Sequence, residues 1–291
     1  MRSLAIPTAF RRRSALFATE MTSEVVNEVA SKAMTSKVVW VYAVASRLDS
    51  ERLSGLAGVG GEPVRTISEA DIHAVVGSVD AASFGENSIA GMLGDLADIE
   101  PIGRAHHEVV ATIAAESPVV PLRLATIYPD DDTVSTLLAE HHAELTELLE
   151  SLRGTQEWGV QVYLRPAVGE AVPAGVAAGV AAGVAAGVSA GGDGTRLTGP
   201  QQPWLEAEAS ANSIDQVLSD IAIVSRRQPA PYLRPGSVCG WMVLNGIYLL
   251  DADRAAEFSS IARQFAAEHV ALRVEITGPW PPYSFVDRDD V

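Results

Sequence analysis

Two hydrophobic patterns alternate along the first half of the chain. A nearly all-apolar run predicts a strand at residues 38–44, and further strands are predicted at 63–67, 71–79 and 119–128. Between them, apolar residues at helical spacing predict a short helix at 49–56 and a longer one from residue 88 to Ile113, with a kink at Pro101. The resulting order, βαββαβ, is that of a ferredoxin-like domain.

The second half repeats these patterns after one additional helix. Apolar residues from Val134 to Leu152 form one continuous helical stripe, and Asp130, Asp131 and Asp132 place negative charge at its N-terminus. Strands are then predicted at 158–164, 241–250 and 270–276, with helices around 214–221 and 258–265. We therefore expect an α+β protein with two modified ferredoxin-like domains, the second preceded by an extra helix.

Three segments fall outside these patterns. Residues 1–36 are predicted to form a disordered N-terminal tail. Met1, Met21 and Met34 are alternative translation start residues within it. A four-residue Gly/Ala repeat at 174–192 lies in a low-complexity insertion spanning about 168–202. The repeat carries no charge, but Ala and Gly drive membrane insertion poorly, so we expect a flexible surface insertion and no membrane span. The predicted domains are residues 37–128 and 129–276.

Residues 277–291 form the predicted C-terminal tail. Prolines at 279, 281 and 282 alternate with Trp280, Tyr283 and Phe285, which predicts an extended, polyproline-like segment. Large rings on a stiff segment suit contact with a partner protein, and the same composition also suits a segment folded back over its own core.

The chain resembles the gas vesicle protein GvpL/GvpF family from about residue 38 to 285. The resemblance rests on six motifs in family order: Val39-Trp40-Val41-Tyr42-Ala43-Val44, His106-His107, Pro118 to Tyr128, Glu157-Trp158-Gly159-Val160-Gln161-Val162, Asn245-Gly246-Ile247-Tyr248-Leu249, and the tail from Thr277 to Phe285. It implies a non-enzymatic accessory protein that takes part in building gas vesicles, located in the cytoplasm and at the vesicle. The insertion at 174–192 departs from the family pattern.

Composition narrows the classes of partner. The formal charge of −16 repels nucleic acid phosphates and anionic lipids, so nucleic acid is not an expected partner. The single cysteine, Cys239, cannot form an internal disulfide bond and is predicted to be a small buried side chain.

The histidine pairs do not predict a metal site. Adjacent residues such as His106 and His107, or His141 and His142, diverge by about 100° around a helix, whereas metal ligands must converge. His106 and His141 fall on apolar stripes, which favours histidines within a core or a domain interface. No cofactor-binding motif is present, so neither a cofactor nor catalysis is expected.

The sequence thus predicts a protein that binds the small hydrophobic shell protein and other vesicle proteins and assists nucleation or assembly. Candidate contacts are Trp280, Tyr283 and Phe285, followed by Trp158 and by Arg123, which is predicted inside an apolar strand as either an internal ion pair or a partner contact. The alternative is a small-ligand or enzymatic module, because ferredoxin-like domains serve many functions.

Overall fold

A computed structural model describes residues 37–48, 53–84, 96–165, 202–229 and 241–286. They divide into two compact units. Unit 1 runs to Glu157 and resumes at Pro279, and unit 2 is Trp158–Gly278. The predicted boundary at 128/129 differs from this division, because the helices after residue 130 belong to unit 1. The predictions for residues 1–36, for the first half of the helix at 49–56, for the Gly/Ala repeat and for Cys239 lie outside the described residues.

Unit 1 is built on one antiparallel sheet. Its strands are β1 (Lys37–Ala45), β2 (Arg65–Glu69), β3 (Ile72–Asp80), β4 (Val119–Pro121) and β5 (Ile127–Tyr128). Its helices are α1 (Ala81–Phe84), α2 (Leu96–Ala114), α3 (Asp131–Glu140) and α4 (His142–Ser151). The strand order is β2-β3-β1-β4, and β5 also pairs with β1.

Strand β1 forms the centre of the unit 1 core. Every residue from Val38 to Ala45 is buried, although successive side chains point to opposite faces of the sheet. Val38, Trp40 and Tyr42 pack with residues of α2 on one face. Helices α3 and α4 contact β2, β3, β4 and β5. Burial of consecutive residues in β1 means that both faces of this sheet are covered.

The predicted strand at 119–128 is divided in two. Leu122 N–H donates to Tyr42 O and Val41 N–H donates to Thr126 O, so both halves remain bonded to β1. Between them the chain turns, and Ala125 adopts a φ of 67°, a conformation that interrupts a strand. Arg123 therefore lies in a turn and not within an apolar strand.

The helical stripes are largely confirmed. Ile102, His106, Val109, Val110 and Ile113 of α2 are all buried. Pro101 lies inside α2, where it lacks the N–H for one intrahelical hydrogen bond. The predicted continuous helix from 134 to 152 is divided at residue 141, the C-cap of α3 and N-cap of α4.

The described residues of unit 2 form a four-stranded sheet in the order β7-β8-β6-β9. Its elements are β6 (Thr155–Leu164), α5 (Gln202–Ile221), β7 (Val224–Arg227), β8 (Trp241–Asp251), a 3₁₀ turn (Ala252–Arg254), α6 (Ala255–Glu268) and β9 (Leu272–Trp280). Strand β7 pairs antiparallel with β8 and has no counterpart in the sequence prediction. Strands β6 and β9 carry the chain into and out of this unit.

Burial in β8 alternates between half-buried and buried positions from Trp241 to Tyr248. Leu244, Tyr248 and Leu250 pack with Ile214 of α5 and Phe258 of α6 in one core cluster. Val217, predicted to lie on the buried stripe, is instead 43% exposed. Only one face of this strand is deeply buried over those positions.

The C-terminal segment differs from the predicted extended tail. Strand β9 continues to Trp280, and α7 (Tyr283–Val286) follows as a single helical turn. Pro279 lies close to the end of β9, and the two later prolines precede α7, where a fixed φ suits the start of a helix. Phe285 and Val286 are buried, so the segment folds onto unit 1.

Candidate functional site

An aromatic cluster forms where α2 meets the C-terminal segment of unit 1. The rings of His107 and Trp280 meet edge to face with centroids 5.0 Å apart, and the ring of Tyr283 lies 6.0 Å from that of His107. His107 Nδ1 is 3.3 Å from the Tyr283 hydroxyl. Trp280 is 40% exposed, which makes it one of the few large apolar side chains at the described surface. We call His107, Trp280 and Tyr283 the aromatic cluster.

A buried carboxylate holds α7 beneath this cluster. Glu157, 8% exposed, accepts hydrogen bonds from Ser284 N–H at 2.7 Å and from Ser284 Oγ at 2.8 Å. A carboxylate that accepts backbone and hydroxyl donors at the first turn of a helix acts as a cap. The orientation of the Tyr283 ring therefore depends on a residue far away in sequence.

Burial keeps the aromatic cluster uncharged at neutral pH. Desolvation lowers the pKa of His107, so its imidazole is neutral. Burial, followed by the negative charge of Glu157, raises the pKa of Tyr283 well above its usual range. An uncharged, hydrogen-bonded imidazole beside an exposed indole is suited to binding apolar surface.

Phe285 does not share the surface of the cluster. Its side chain is 1% exposed, and α7 packs against β4. Of the three predicted tail contacts, the structure brings Trp280 and Tyr283 together at His107 and places Phe285 in the unit 1 core. For Phe285 the structure therefore supports the alternative in which the C-terminal segment folds back over its own core.

The two other predicted contacts lie elsewhere. Arg123 is exposed in the turn between β4 and β5, where its carbonyl accepts from Thr126 N–H and Oγ1. Trp158 belongs to unit 2, where its half-buried ring packs on the core 6.1 Å from the ring of Phe258. The structure thus gives Trp158 a packing role within its own unit.

His106 is a satisfied core histidine, as its place on the apolar stripe predicted. Trp40 Nε1–H donates to its Nδ1 at 3.0 Å, which leaves Nε2 as the donor to the Leu122 carbonyl at 3.1 Å. Burial lowers the pKa of His106 to about 4, against a smaller upward effect of that carbonyl. Neither ring nitrogen is left for another ligand.

The second histidine pair diverges as expected for adjacent residues. His141 Nδ1 lies 3.5 Å from Glu144 Oε2 on a largely buried side chain, whereas His142 Nε2 lies 2.6 Å from Asp71 at the surface. The hydrogen bond from His142 lowers the pKa of Asp71. Among the residues that the structure describes, no cluster of three or more His, Cys, Asp or Glu side chains could hold a metal ion.

Unit 1 also contains an open groove of about 360 Å³. Lys37, Arg65 and Asp130 to Asp132 line it, together with Ser78 and Pro129. Arg65 makes a bidentate ion pair with Asp131 at 2.7 and 2.8 Å, and Asp130 caps α3 by accepting from Thr133. Arg65, Asp130 and Asp131 thus serve the fold through contacts within unit 1.

Sequence reasoning missed His107, Glu157 and Ser284 as parts of the site. His107 gave one usable signal, because it is the neighbour of a buried histidine and must face away from it. Glu157 stands within a family motif, but its partner Ser284 lies 127 residues away, beyond any local pattern.

The family model for "Gas vesicle synthesis protein GvpL/GvpF" matches residues 38–287. This range covers every element described above except the first residue of β1.

The chain belongs to the GvpL/GvpF family.

Relatives in this family match along most of their length. The chain is 35% identical to gas vesicle protein L of Streptomyces sp. (strain CB03234) over 265 residues, covering 88% of this chain and 96% of that protein. It is 28% identical to gas vesicle protein F of the same strain, over 85% of this chain and 99% of that protein. Family membership places the protein in gas vesicle formation.

Solved GvpF structures share the fold of this GvpL/GvpF chain. The crystal structure of GvpF from Anabaena sp. PCC7120 aligns with a TM-score of 0.59 at 17% identity, covering 88% of this chain and 98% of that one. GvpF from Microcystis aeruginosa aligns with a TM-score of 0.58 at 16% identity, covering 86% and 99%. The described helices of the present protein include none that is long and apolar enough to cross a membrane.

Proposed function

We propose that this protein is a non-enzymatic accessory protein of gas vesicles that binds the small hydrophobic shell protein through the aromatic cluster of unit 1. It assists nucleation or assembly of the shell, acts in the cytoplasm and at the vesicle, and contacts other vesicle accessory proteins. Membership of the GvpL/GvpF family supports the process, and the exposed ring of Trp280 supports the place of contact.

The geometry of Trp280 carries the proposal. Its indole is 40% exposed, yet its edge-to-face contact with His107 restrains the ring before any partner binds. A restrained aromatic side chain loses little conformational entropy on docking, and such residues are frequent hot spots of interfaces. Tyr283 also lies against His107, and its position is held by the α7 cap.

The chemistry of the shell protein explains why such a surface is useful. A subunit that buries its apolar face only on assembly exposes that face beforehand and is prone to aggregation. A partner with a net charge of −16 stays soluble through mutual repulsion while it covers the apolar face. When the shell protein is released into the growing shell, its apolar face exchanges contact with this protein for contact with other shell subunits.

A binding titration tests this proposal. Trp280→Ala should weaken binding of co-expressed shell protein by about 30-fold, corresponding to a hot-spot loss of about 2 kcal/mol. Leu205→Ala is the matched control, since Leu205 is 45% exposed on α5 of unit 2 and should leave affinity unchanged. A folded Trp280→Ala variant with wild-type affinity would show that the cluster is not the contact.

Arg123 and Trp158 remain proposed contacts of lower rank. Arg123→Ala removes an exposed charge from a turn, so any loss of binding without loss of stability would assign it to the interface. Trp158→Phe keeps an aromatic ring beside Phe258 and tests whether the larger indole ring contributes to binding. A change in shell-protein affinity for either variant at constant stability places that residue at the interface, and unchanged affinity removes it.

We also propose that each unit is a modified ferredoxin-like domain. Each has a sheet in which the first strand lies between the third and the fourth, with the second strand at the edge. The order β6, α5, β7, β8, α6, β9 repeats the arrangement predicted for the first half. A solved structure that placed both helices of unit 2 on opposite faces of its sheet would contradict this assignment.

A further inference from the structure

Among the residues that the structure describes, β9 is the last strand in the sheet order of unit 2, so only one of its edges pairs within that sheet. Arg165 N–H donates to the Ala271 carbonyl at 3.0 Å, and Gly159 lies directly beside Thr277. These two contacts define one antiparallel register with β6 and no bulge between them. Peptide groups of residues 271, 273, 275 and 277 therefore point to β6.

The intervening residues present the other edge. In an antiparallel strand, the N–H and C=O of one residue point the same way, so those of Val274 and Ile276 point away from β6. Leu272 N–H is already used in the turn, where it donates to His269 O at 2.8 Å. An edge of this kind offers main-chain hydrogen bonds to another strand.

We propose that a second copy of this chain pairs with this edge, β9 against β9, about a two-fold axis beside Val274. Val274 then lies opposite Val274 of the other copy, and Leu272 lies opposite its Ile276. All three residues pack on the unit 2 core, so the apolar layer beneath the helices continues across the junction. The two sheets join into one of eight strands.

The charged side chains of β9 favour this register of β9 against β9 over registers with a shifted two-fold axis. Arg273 and Glu275 share the opposite face of β9, with side chains 34% and 41% exposed. Pairing about Val274 places each Arg273 directly across from Glu275 of the other copy, in the close non-hydrogen-bonded arrangement that favours opposite charges. Moving the axis to residue 275 instead sets Glu275 against Glu275, which is unfavourable.

The existing contacts of these side chains are compatible with such pairing. Arg273 lies over the Tyr163 ring at 4.2 Å and donates from its NH1 group to Glu275 Oε1. A guanidinium has five N–H donors, so it can bond its own Glu275 and that of the other copy at once. At the end of the ladder, Val270, 80% exposed, comes opposite Gly278 of the other copy, where no side chain obstructs it.

Charge reversal with mixing tests the dimer. Sedimentation equilibrium should show wild-type dimers, whereas R273E and E275R alone should each be monomeric because like charges then face each other. The doubly exchanged R273E/E275R variant should dimerise again. An equimolar mixture of the two single variants should form heterodimers, because each chain then meets the opposite charge.

Exchange of backbone amides provides a second measurement on the wild-type chain, independent of variant folding. On dilution, amides of Val274 and Ile276 should lose protection together with the dimer, while those of Arg273 and Glu275, bonded to β6, stay protected. The proposal would be overturned if the wild type were monomeric at all concentrations or if the single variants remained dimeric. It would also be overturned if the mixture of single variants stayed monomeric, or if protection of the Val274 amide did not change on dilution.

Discussion

Strands β1 and β8 occupy the interior of their respective sheets and bury their residues differently. In β1 every residue from Val38 to Ala45 is buried, whereas β8 alternates between half-buried and buried positions up to Tyr248. Each strand nevertheless carries one fully buried tyrosine whose hydroxyl donates to a carboxylate, Tyr42 to Glu62 at 2.6 Å and Tyr248 to Asp215 at 2.5 Å. The two units thus share a hydrogen bond between a buried tyrosine and a carboxylate, although the strands that carry the tyrosines differ in their burial patterns.

The difference shows that two sheets with the same strand order can differ in burial, one with both faces covered and the other with only one face deeply buried. A sheet covered on both faces requires a continuous apolar run, while alternation suffices where one face is deeply buried. In both tyrosines burial, followed by the carboxylate hydrogen bond, raises the pKa of the hydroxyl, so each stays protonated as a donor.

The largest expected effect on stability comes from substitutions at adjacent positions in β1 and in β8. Trp40→Ala and Val41→Asp should each destabilise unit 1 severely, by about 3–5 kcal/mol for the tryptophan, because both faces of β1 are packed. In β8, Leu244→Asp should be equally severe, whereas half-buried Asn245→Asp should cost at most about 1 kcal/mol. Guanidinium denaturation with hydrogen exchange of each unit measures this. A stable Val41→Asp protein would show that the second face of β1 is not a core.

A smaller effect concerns pH and is confined to unit 1. The pKa of His106 is about 4 in the folded protein, whereas the ordinary pKa of histidine is 6.5, so the unfolded chain binds the proton more readily. Stability from this residue is fully present above about pH 6.5 and is lost as pH falls towards 4, by up to about 3 kcal/mol.

The variant His106→Asn provides the comparison for this pH effect. Its side-chain oxygen still accepts from Trp40 Nε1–H but does not titrate. The free energy of unfolding, measured between pH 7 and 4.5, should fall more steeply for the wild type than for this variant. Parallel curves would mean that His106 binds a proton as readily in the folded protein as in the unfolded chain.

The smallest expected effect separates the two tyrosines. Tyr42 also accepts from Val59 N–H at 2.9 Å, so Tyr42→Phe leaves both that amide and Glu62 without this partner. Asp215 retains Arg227, whose Nε lies 2.7 Å away, after Tyr248→Phe. We expect losses of about 2 kcal/mol and about 1 kcal/mol, respectively. Denaturant midpoints measure both, and a larger loss for Tyr248→Phe would reverse the order.

Strand β1, the stripe of α2 and the buried His106 were predictable because each follows from local periodicity. The division between β4 and β5 was not, since Ala125 gives no signal for a positive φ. Strand β7 was missed because Val-Ser-Arg-Arg is short and polar, and only pairing with β8 makes it a strand.

The candidate site was predictable only in part. Trp280 and Tyr283 were identifiable from composition, whereas Phe285 of the same segment is covered by its own unit. The contacts that decide between exposure and burial, His107 with Tyr283 and Glu157 with Ser284, each join residues more than a hundred positions apart. Single-sequence patterns report local order and do not contain such pairs.

The discontinuity of unit 1 has a consequence for biosynthesis. The cap formed by Glu157 and the buried ring of Phe285 require residues that leave the ribosome after the whole of unit 2. At about 5–20 residues per second, synthesis of unit 2 takes roughly ten seconds, during which unit 1 lacks its final helix. The nascent chain therefore completes its second unit before its first, and the aromatic cluster forms only after the residues that follow unit 2 have been translated.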